Sequence, residues 1–196
     1  MPHDFPETRA SLLVDIRDPA NERAWSVFSD LYRPVIYRMA RRRGLQDADA
    51  QDLVQRVLVN VSRSIEKWEE NPHRGRFRHW LSKVTRNAII DVFRRIKPDA
   101  PVGGSAVTRL LNQSEAAQET EIEYEYERSM FRRAAEKVRI EFRDDTWTAF
   151  WQTTVEGRTI ASVADELGIT PGAIYTARSR VMKRLRETVD ELRREP

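Results

Sequence analysis

The stretch RTIASVADELGITPGAIYTARSRVMKRLRE, residues 158–187, carries the punctuation of two helices joined by a tight turn. Thr159 can cap a short helix over 160–167, because a threonine hydroxyl accepts from the free N–H groups of a first turn. Gly168 supplies the left-handed residue that ends this helix, and Ile169 can plug the space between helices. Thr170 then caps a second helix with Pro171 at its first position, where a missing N–H breaks no bond. Ala164, Gly168 and Ile174 stand where a helix-turn-helix wants a small residue at the crossing, a turn glycine and a branched apolar docking residue. The second helix would offer Thr170, Pro171, Gly172, Ala173, Tyr175 and Thr176 at the end where recognition helices meet base edges. Arg178, Ser179, Arg180, Lys183, Arg184 and Arg186 follow, in a run suited to phosphates. The competing reading is a helical hairpin with a basic exposed face.

Working outward, the rest of the chain also reads as helix, with apolar residues recurring at three and four. Trp25, Phe28, Tyr32, Val35, Ile36 and Met39 make one stripe; within it Pro34 must kink the helix or begin a new one. Gly44 closes the Arg41-Arg42-Arg43 run as a glycine just past a helix end. A second helix, about 47–66, carries Leu53, Val57, Val61 and Ile65. A third, about 76–95, is expected to bury Phe77, Trp80, Leu81, Val84, Ala88 and Val92. The pattern fades from Lys97 to about Glu121, where turn residues dominate. It resumes with EYEYERSMFRRAAEKV and with TWTAFWQTTVEG, which Asp144 or Asp145 can cap. The expected fold is all-α, in two helical modules, a helical bundle and a helix-turn-helix, joined by a linker. The expected boundaries are an N-terminal extension over 1–19, a first domain over 20–96, an acidic linker over 97–129 and a second domain over 130–192.

Composition narrows the function. The 196 residues are 40% hydrophobic and 33% charged, and cysteine is absent. Disulfides, cysteine-type zinc fingers, iron–sulfur ligation and thiol catalysis are therefore excluded. No apolar run nears the ~20 residues needed to span a bilayer. MPHDFPETRA lacks a basic segment followed by an apolar one, so no secretory signal is read and a soluble, cytoplasmic protein is expected. Residues 20–97 hold 17 Lys/Arg against 9 Asp/Glu, whereas residues 98–130 hold 2 against 7. A concentrated positive field attracts polyanions, nucleic acid first among them; the plainer reading is a solvated charged surface.

The third helix gives an independent clue. Lys83, Arg86, Asn87, Ile90 and Arg94 fall on one stripe, beside the face expected to be buried. Cations, an amide and an aliphatic side chain suit a surface that holds phosphates and touches bases. The preceding EKWEENPHRGRFRHW adds Arg74, Arg76 and Arg78 among aromatic residues, a composition that suits unpaired bases in an electropositive groove. The alternative makes Trp68, Phe77 and Trp80 core residues. His73 and His79 have no carboxylate or thiol in step and make a poor metal site. Nothing in the sequence calls for a metal or small-molecule cofactor.

Taken together, DADAQDLVQRVLVNV, then FRHWLSKVTRNAIIDVFRR, then a C-terminal helix-turn-helix resemble the bacterial RNA polymerase sigma factors of the extracytoplasmic-function (ECF, sigma-70) family. The resemblance implies a sigma-2-like domain that binds the polymerase clamp and melts the −10 element. It implies a sigma-4-like domain that reads the −35 element near the polymerase flap, and a linker threading between them. Asp49, Asp52, Leu53, Gln55, Arg56 and Val57 would face the clamp. Arg74, Arg76, Lys83, Arg86, Asn87, Asp91, Arg94 and Arg95 would lie along the −10 DNA, with Asn87 against an everted base and loop 68–76 helping to form its pocket. Thr170 to Arg180, with Lys183 beyond, would serve the −35 major groove. The family's clamp helix commonly carries acidic residues where this chain has Gln51 and Arg56. Its recognition helix usually places Arg-Ser-Arg one turn earlier than here. The implied partners are core RNA polymerase, promoter DNA and an anti-sigma factor, with no membrane insertion.

Two other functions compete. A dimeric helix-turn-helix regulator of duplex operator DNA would explain 145–190 but leave the basic stripe idle. A nucleic-acid enzyme would want a magnesium-binding carboxylate cluster or a glycine-rich phosphate loop, and neither is read. No catalytic residue is expected, and the chain reads as a transcription initiation factor rather than an enzyme.

Overall fold

The computed structural model describes residues 8–68, 76–96 and 115–194. Eight α-helices and one 3-10 turn account for its regular structure, and no strand occurs among the described residues, as the periodicity requires. The helices are α1 (Ala10–Asp15), α2 (Glu22–Arg42), α3 (Asp47–Ser64), α4 (Phe77–Ile96), α5 (Glu115–Arg139), α6 (Asp144–Thr154), α7 (Ile160–Leu167) and α8 (Pro171–Arg194). They divide into two units, one ending at Ser129 and one running from Met130 to Glu195.

In the first unit, α2 packs on α3 and α3 on α4. Phe28, Tyr32, Val35, Ile36, Leu53, Val57, Val61, Ile65 and Leu81 are all buried. Helix α2 runs unbroken through Pro34 rather than restarting there. It ends as a Schellman motif: Gly44 has φ +89°, its N–H reaches the Arg41 carbonyl at 3.0 Å, and the Leu45 N–H reaches that of Ala40 at 3.3 Å. A left-handed residue is what such a cap demands, and glycine takes it without a Cβ clash. Helix α1 adds Leu12, Leu13 and Ile16 to the core. Beyond it, the Arg17 guanidinium donates to the Trp68 carbonyl at 2.8 Å.

Residues 115–129 of α5 also belong to this unit. Ile122 and Tyr126 are buried. Tyr126 lies 5.8 Å from Tyr32, ring to ring. Much of the weakly patterned region, 97–114, lies outside the described residues, but helix begins at Glu115, ahead of the Glu/Tyr alternation. That alternation hides its amphipathicity, because the glutamates on the buried face meet arginines instead of water.

The second unit has two contiguous cores. Ala134, Ala135 and Val138 of α5 meet Trp147, Phe150, Val181 and Leu185. Ala149, Val163, Ala164, Ile174 and Ala177 form the other. Asp144 and Asp145 lie inside the first turn of α6, whose N-cap is Arg143 with no side-chain hydrogen bond. They complement the positive end of the helix dipole instead of capping it.

Candidate nucleic-acid interface

The helix-turn-helix forms as its caps dictate. Thr159 accepts from the Ser162 N–H at 3.2 Å. Gly168 takes the left-handed conformation at φ +63°, and the Ile169 N–H closes the Schellman bond to the Ala164 carbonyl at 3.1 Å. Thr170 accepts from the Ala173 N–H at 3.2 Å, with Pro171 opening α8. Burial of Ile174, Ala177, Val181 and Leu185 turns the opposite side of α8 outward. Thr170, Pro171, Gly172, Ala173, Thr176, Ser179, Arg180 and Lys183 are exposed there, and Arg178 is half-buried. Tyr175 is 59% exposed, the largest apolar surface of that helix end. Arg184 is committed elsewhere, to Glu141 at 2.6 Å and Glu191 at 2.9 Å. Those carboxylates raise its guanidinium above the usual range, so it stays charged but is internally neutralised.

Helix α4 is organised differently. Arg76, Asn87, Asp91, Arg94 and Arg95 are exposed, and Lys83 and Arg86 are half-buried. Arg74 lies outside the described residues, as does most of loop 68–76. Ile90 does not belong with the exposed stripe: it is 5% exposed and is core. The true inward arc of α4 is wide, taking in Ser82, Thr85, Ile89 and Val92 as well as Leu81, while Trp80, Val84 and Ala88 are only half-buried. Trp68 and Phe77 are buried in an aromatic cluster with ring centroids 5.4 Å apart, so they are packing and not free stacking platforms.

Arg78, expected to join the basic loop, is 1% exposed and points inward. Its Nε donates to Glu123 at 2.7 Å, and its guanidinium lies 4.2 Å over the Tyr126 ring. Burial opposes its charge, but the Glu123 carboxylate answers it and the guanidinium stays protonated. Burial pushes the Glu123 carboxyl up, against the pull of Arg78. Glu125, 0% exposed, accepts from Arg38 Nε, and Arg42 approaches it at 2.8 Å. Glu121 accepts from Arg43. The acidic face of α5 thereby neutralises the basic end of α2.

Of the residues expected at the clamp, Leu53 and Val57 are fully buried and are core; a helix cannot present the same side chains to its own core and to a partner. Asp52 and Gln55 line an open cleft between α2 and α3 with Arg33, Pro34 and Tyr37. Asp47 closes its edge, accepting from Tyr37 and from Gln51. Asp49 is half-buried. Arg56 turns the other way, into a groove between α3 and α4 that also holds Asn60, Arg63, Asp91 and Arg95. Sequence reading missed Asn60 and Arg63, although Arg56, Asn60 and Arg63 follow a four-then-three spacing along one helix side.

Among the described residues, no group of three or more His, Cys, Asp or Glu side chains could hold a metal ion, and no helix is long and apolar enough to cross a membrane. Residues 28–98, spanning α2 to α4, match the family model for Sigma-70 region 2. The ECF RNA polymerase sigma factor SigE of Mycolicibacterium smegmatis (strain ATCC 700084 / mc(2)155) is 30% identical over 94 residues.

Over residues 28–98 the first unit is similar to sigma-70 region 2.

The match to that sigma factor covers 48% of this chain and 35% of the relative, so the chain spans about a third of the curated protein it matches. The region 2 domain defined by the family model ends at residue 98, whereas the first unit extends to Ser129. The region 2 match takes in α4 with its exposed amide and cations and ends before the helix-turn-helix.

Proposed function

We propose that this chain is a promoter-specificity subunit: it binds core RNA polymerase, its region 2 domain melts the −10 element, and its second unit reads the −35 element. The observation that carries the reading is the presence in one chain of a region 2 domain and, after it, a helix-turn-helix whose recognition end is uncovered. In this reading Arg76, Lys83, Arg86, Asn87, Arg94 and Arg95 lie along opened DNA, with Asn87 against an extruded base. Extruding a base costs a few kcal/mol, which such contacts must offset. Thr170 to Thr176 meet base edges, while Arg178, Arg180 and Lys183 meet phosphates. The cleft of Asp52 and Gln55 faces the polymerase clamp. The protein acts in the cytoplasm, has no catalytic activity of its own, and is open to control by an anti-sigma factor.

Two small modules on one chain bind DNA well only when something fixes their spacing, so core polymerase raises affinity by raising effective concentration. The test is co-purification of the tagged chain with core RNA polymerase, followed by run-off transcription on fragments of the source genome. Association with selective new transcripts is the expected result. Tight, selective binding of duplex DNA by the free chain, with no binding to core, would replace this reading with the dimeric regulator. Asn87→Ala is expected to reduce open-complex formation, read by permanganate reactivity, while leaving core binding intact. Equal loss of both would make Asn87 structural.

A further inference from the structure

We propose that Glu123 and Tyr126 of α5 are positioning residues for strand opening: acting through Arg78, they brace the back of α4 and set the angle at which its front presents Asn87. At ~100° per residue, Ser82, Thr85 and Ile89 fall within ~40° of Arg78 around α4, whereas Arg76, Lys83, Asn87 and Arg94 fall ~140–180° away. The first set is buried. Of the second, Arg76, Asn87 and Arg94 are exposed and Lys83 is half-buried. Whatever holds Arg78 therefore stands behind the side of α4 that the promoter reading gives to opened DNA.

Along that back, Ser82 and Thr85 are small and the burial of Ile89 is non-directional, so these residues set the depth of α4 rather than its rotation. Arg78 acts differently. Its Nε donates to Glu123 at 2.7 Å while its guanidinium lies 4.2 Å over the Tyr126 ring. A hydrogen bond and a stacked ring are both directional, and a planar guanidinium held by both is fixed in plane and in direction. The adjacent Phe77 holds the same turn against α2, its ring 5.8 Å from those of Phe28 and Tyr32. On α5, Glu121 and Glu125 stand one turn apart and pair with Arg43, Arg38 and Arg42 of α2. Glu123 turns to nearly the opposite side, toward α4. The first half of α5 is thus wedged between α2 and α4, and ties the rotation of one to the place of the other. Asn87 lies ~13 Å along the helix from Arg78. A swing of roughly 10° about that end carries it ~2 Å, outside the ~0.5 Å within which a binding constellation has to be held. The region 2 match ends at residue 98, so the helix that faces the −10 element is completed by residues beyond it.

What α4 meets is taken from the promoter reading above, so two kinds of measurement are made in parallel. In the first, the full chain is reconstituted with core RNA polymerase on a promoter fragment recovered by run-off transcription, below the melting transition of every variant. Association with core and permanganate reactivity of the −10 thymines are read separately. Arg78→Met/Glu123→Leu, which fills the same space without a directed contact, is expected to bind core as wild type does. It should open the fragment roughly ten-fold less, the worth of one well-placed hydrogen bond. Glu123→Gln keeps an acceptor for Arg78 Nε and should stay within about three-fold of wild type. A double variant that opens DNA as wild type does overturns the proposal. So does one that loses core association and opening in equal measure, because the pair would then act through folding alone. Glu123→Gln as impaired as the double variant overturns it as well, since charge and not direction would be what matters. In the second measurement, amide hydrogen exchange is followed in the free chain. The double variant should exchange the amides of residues 80–87 faster while those of α3 keep their protection. Unchanged exchange across α4 overturns the proposal without any reference to polymerase. A wild-type chain that does not associate with core removes the promoter reading, and faster exchange confined to α4 would still uphold the bracing by Glu123 and Tyr126.

Discussion

Helices α4 and α8 are both long, basic and exposed along one side, yet they are held in place by opposite means. Helix α8 is fixed from nearby: Thr170 caps it, Gly168 turns the chain into it, and Ile174, Ala177, Val181 and Leu185 bury it at helical spacing. Helix α4 is fixed from far along the chain. Its buried Arg78 is answered by Glu123 and Tyr126, at sequence separations of 45 and more. A helix held by local signals can be moved as a cassette. One held by a distant counter-charge is sound only while both parts are present.

The sharpest way to break this contrast is Tyr126→Ala. Removing a buried aromatic ring that packs on Tyr32 and on Arg78 should lower the stability of the first unit by about 3–5 kcal/mol. Calorimetry should show the transition of the second unit unmoved, and a common shift of both transitions would mean that the units do not melt separately. Arg78→Ala comes next, at about 3 kcal/mol, because it leaves Glu123 without its partner in a poorly solvated site. The paired replacement Arg78→Met/Glu123→Leu should recover most of that loss, since a buried ion pair is often no better than apolar packing of similar volume. Failure of the pair to recover would point to the stack on Tyr126, and not the charge, as the stabilising contact.

In the second unit the corresponding changes are smaller and local. Gly168→Ala should cost about 1–2 kcal/mol, because alanine at φ +63° crowds its own backbone. Thr170→Ala should cost about 1 kcal/mol through removal of the cap. Both are read from chemical denaturation of the full chain, and either one destabilising the first unit would break the contrast. The smallest expected effect is one of pH. Arg158 holds the Glu166 carboxyl below its ordinary range. Its contribution is therefore present above the unfolded carboxylate pKa and fades as pH falls through the lower folded value. Arg158→Ala should remove that acid-side component of the pH–stability profile of the second unit, and salt should shrink it.

The same contrast explains what could be read in the sequence. Capping residues, turn glycines and apolar periodicity act within a few positions, so α7 and α8 were legible to the residue, as was the stop at Gly44. The inward side of α4 was not. Arg78, Ser82 and Thr85 are buried polar groups, and a hydrophobic pattern gives them no weight. Ile90 was consequently set on the wrong side of the helix. Leu53 and Val57 were legible as core from their spacing, and assigning them to a partner surface as well asked two incompatible things of one helix side. The groove with Asn60 and Arg63 arises where two helices meet, and no single helix announces it. Residues 121–127 looked like spacer because glutamate and tyrosine alternate there; the glutamates that turn inward depend on arginines lying some 80 positions away, as for Arg43 and Glu121.

The ion pair between Arg78 and Glu123 also bears on how the chain can change over generations. One partner lies inside the region 2 match and the other beyond its end at residue 98. A lineage that loses Arg78 first carries an uncompensated carboxylate, and one that loses Glu123 first carries a stranded guanidinium. Drift at the two positions should therefore be coupled. Among descendants of this sequence the pair should be inherited together or replaced together, and single replacements should be found with a compensating change nearby.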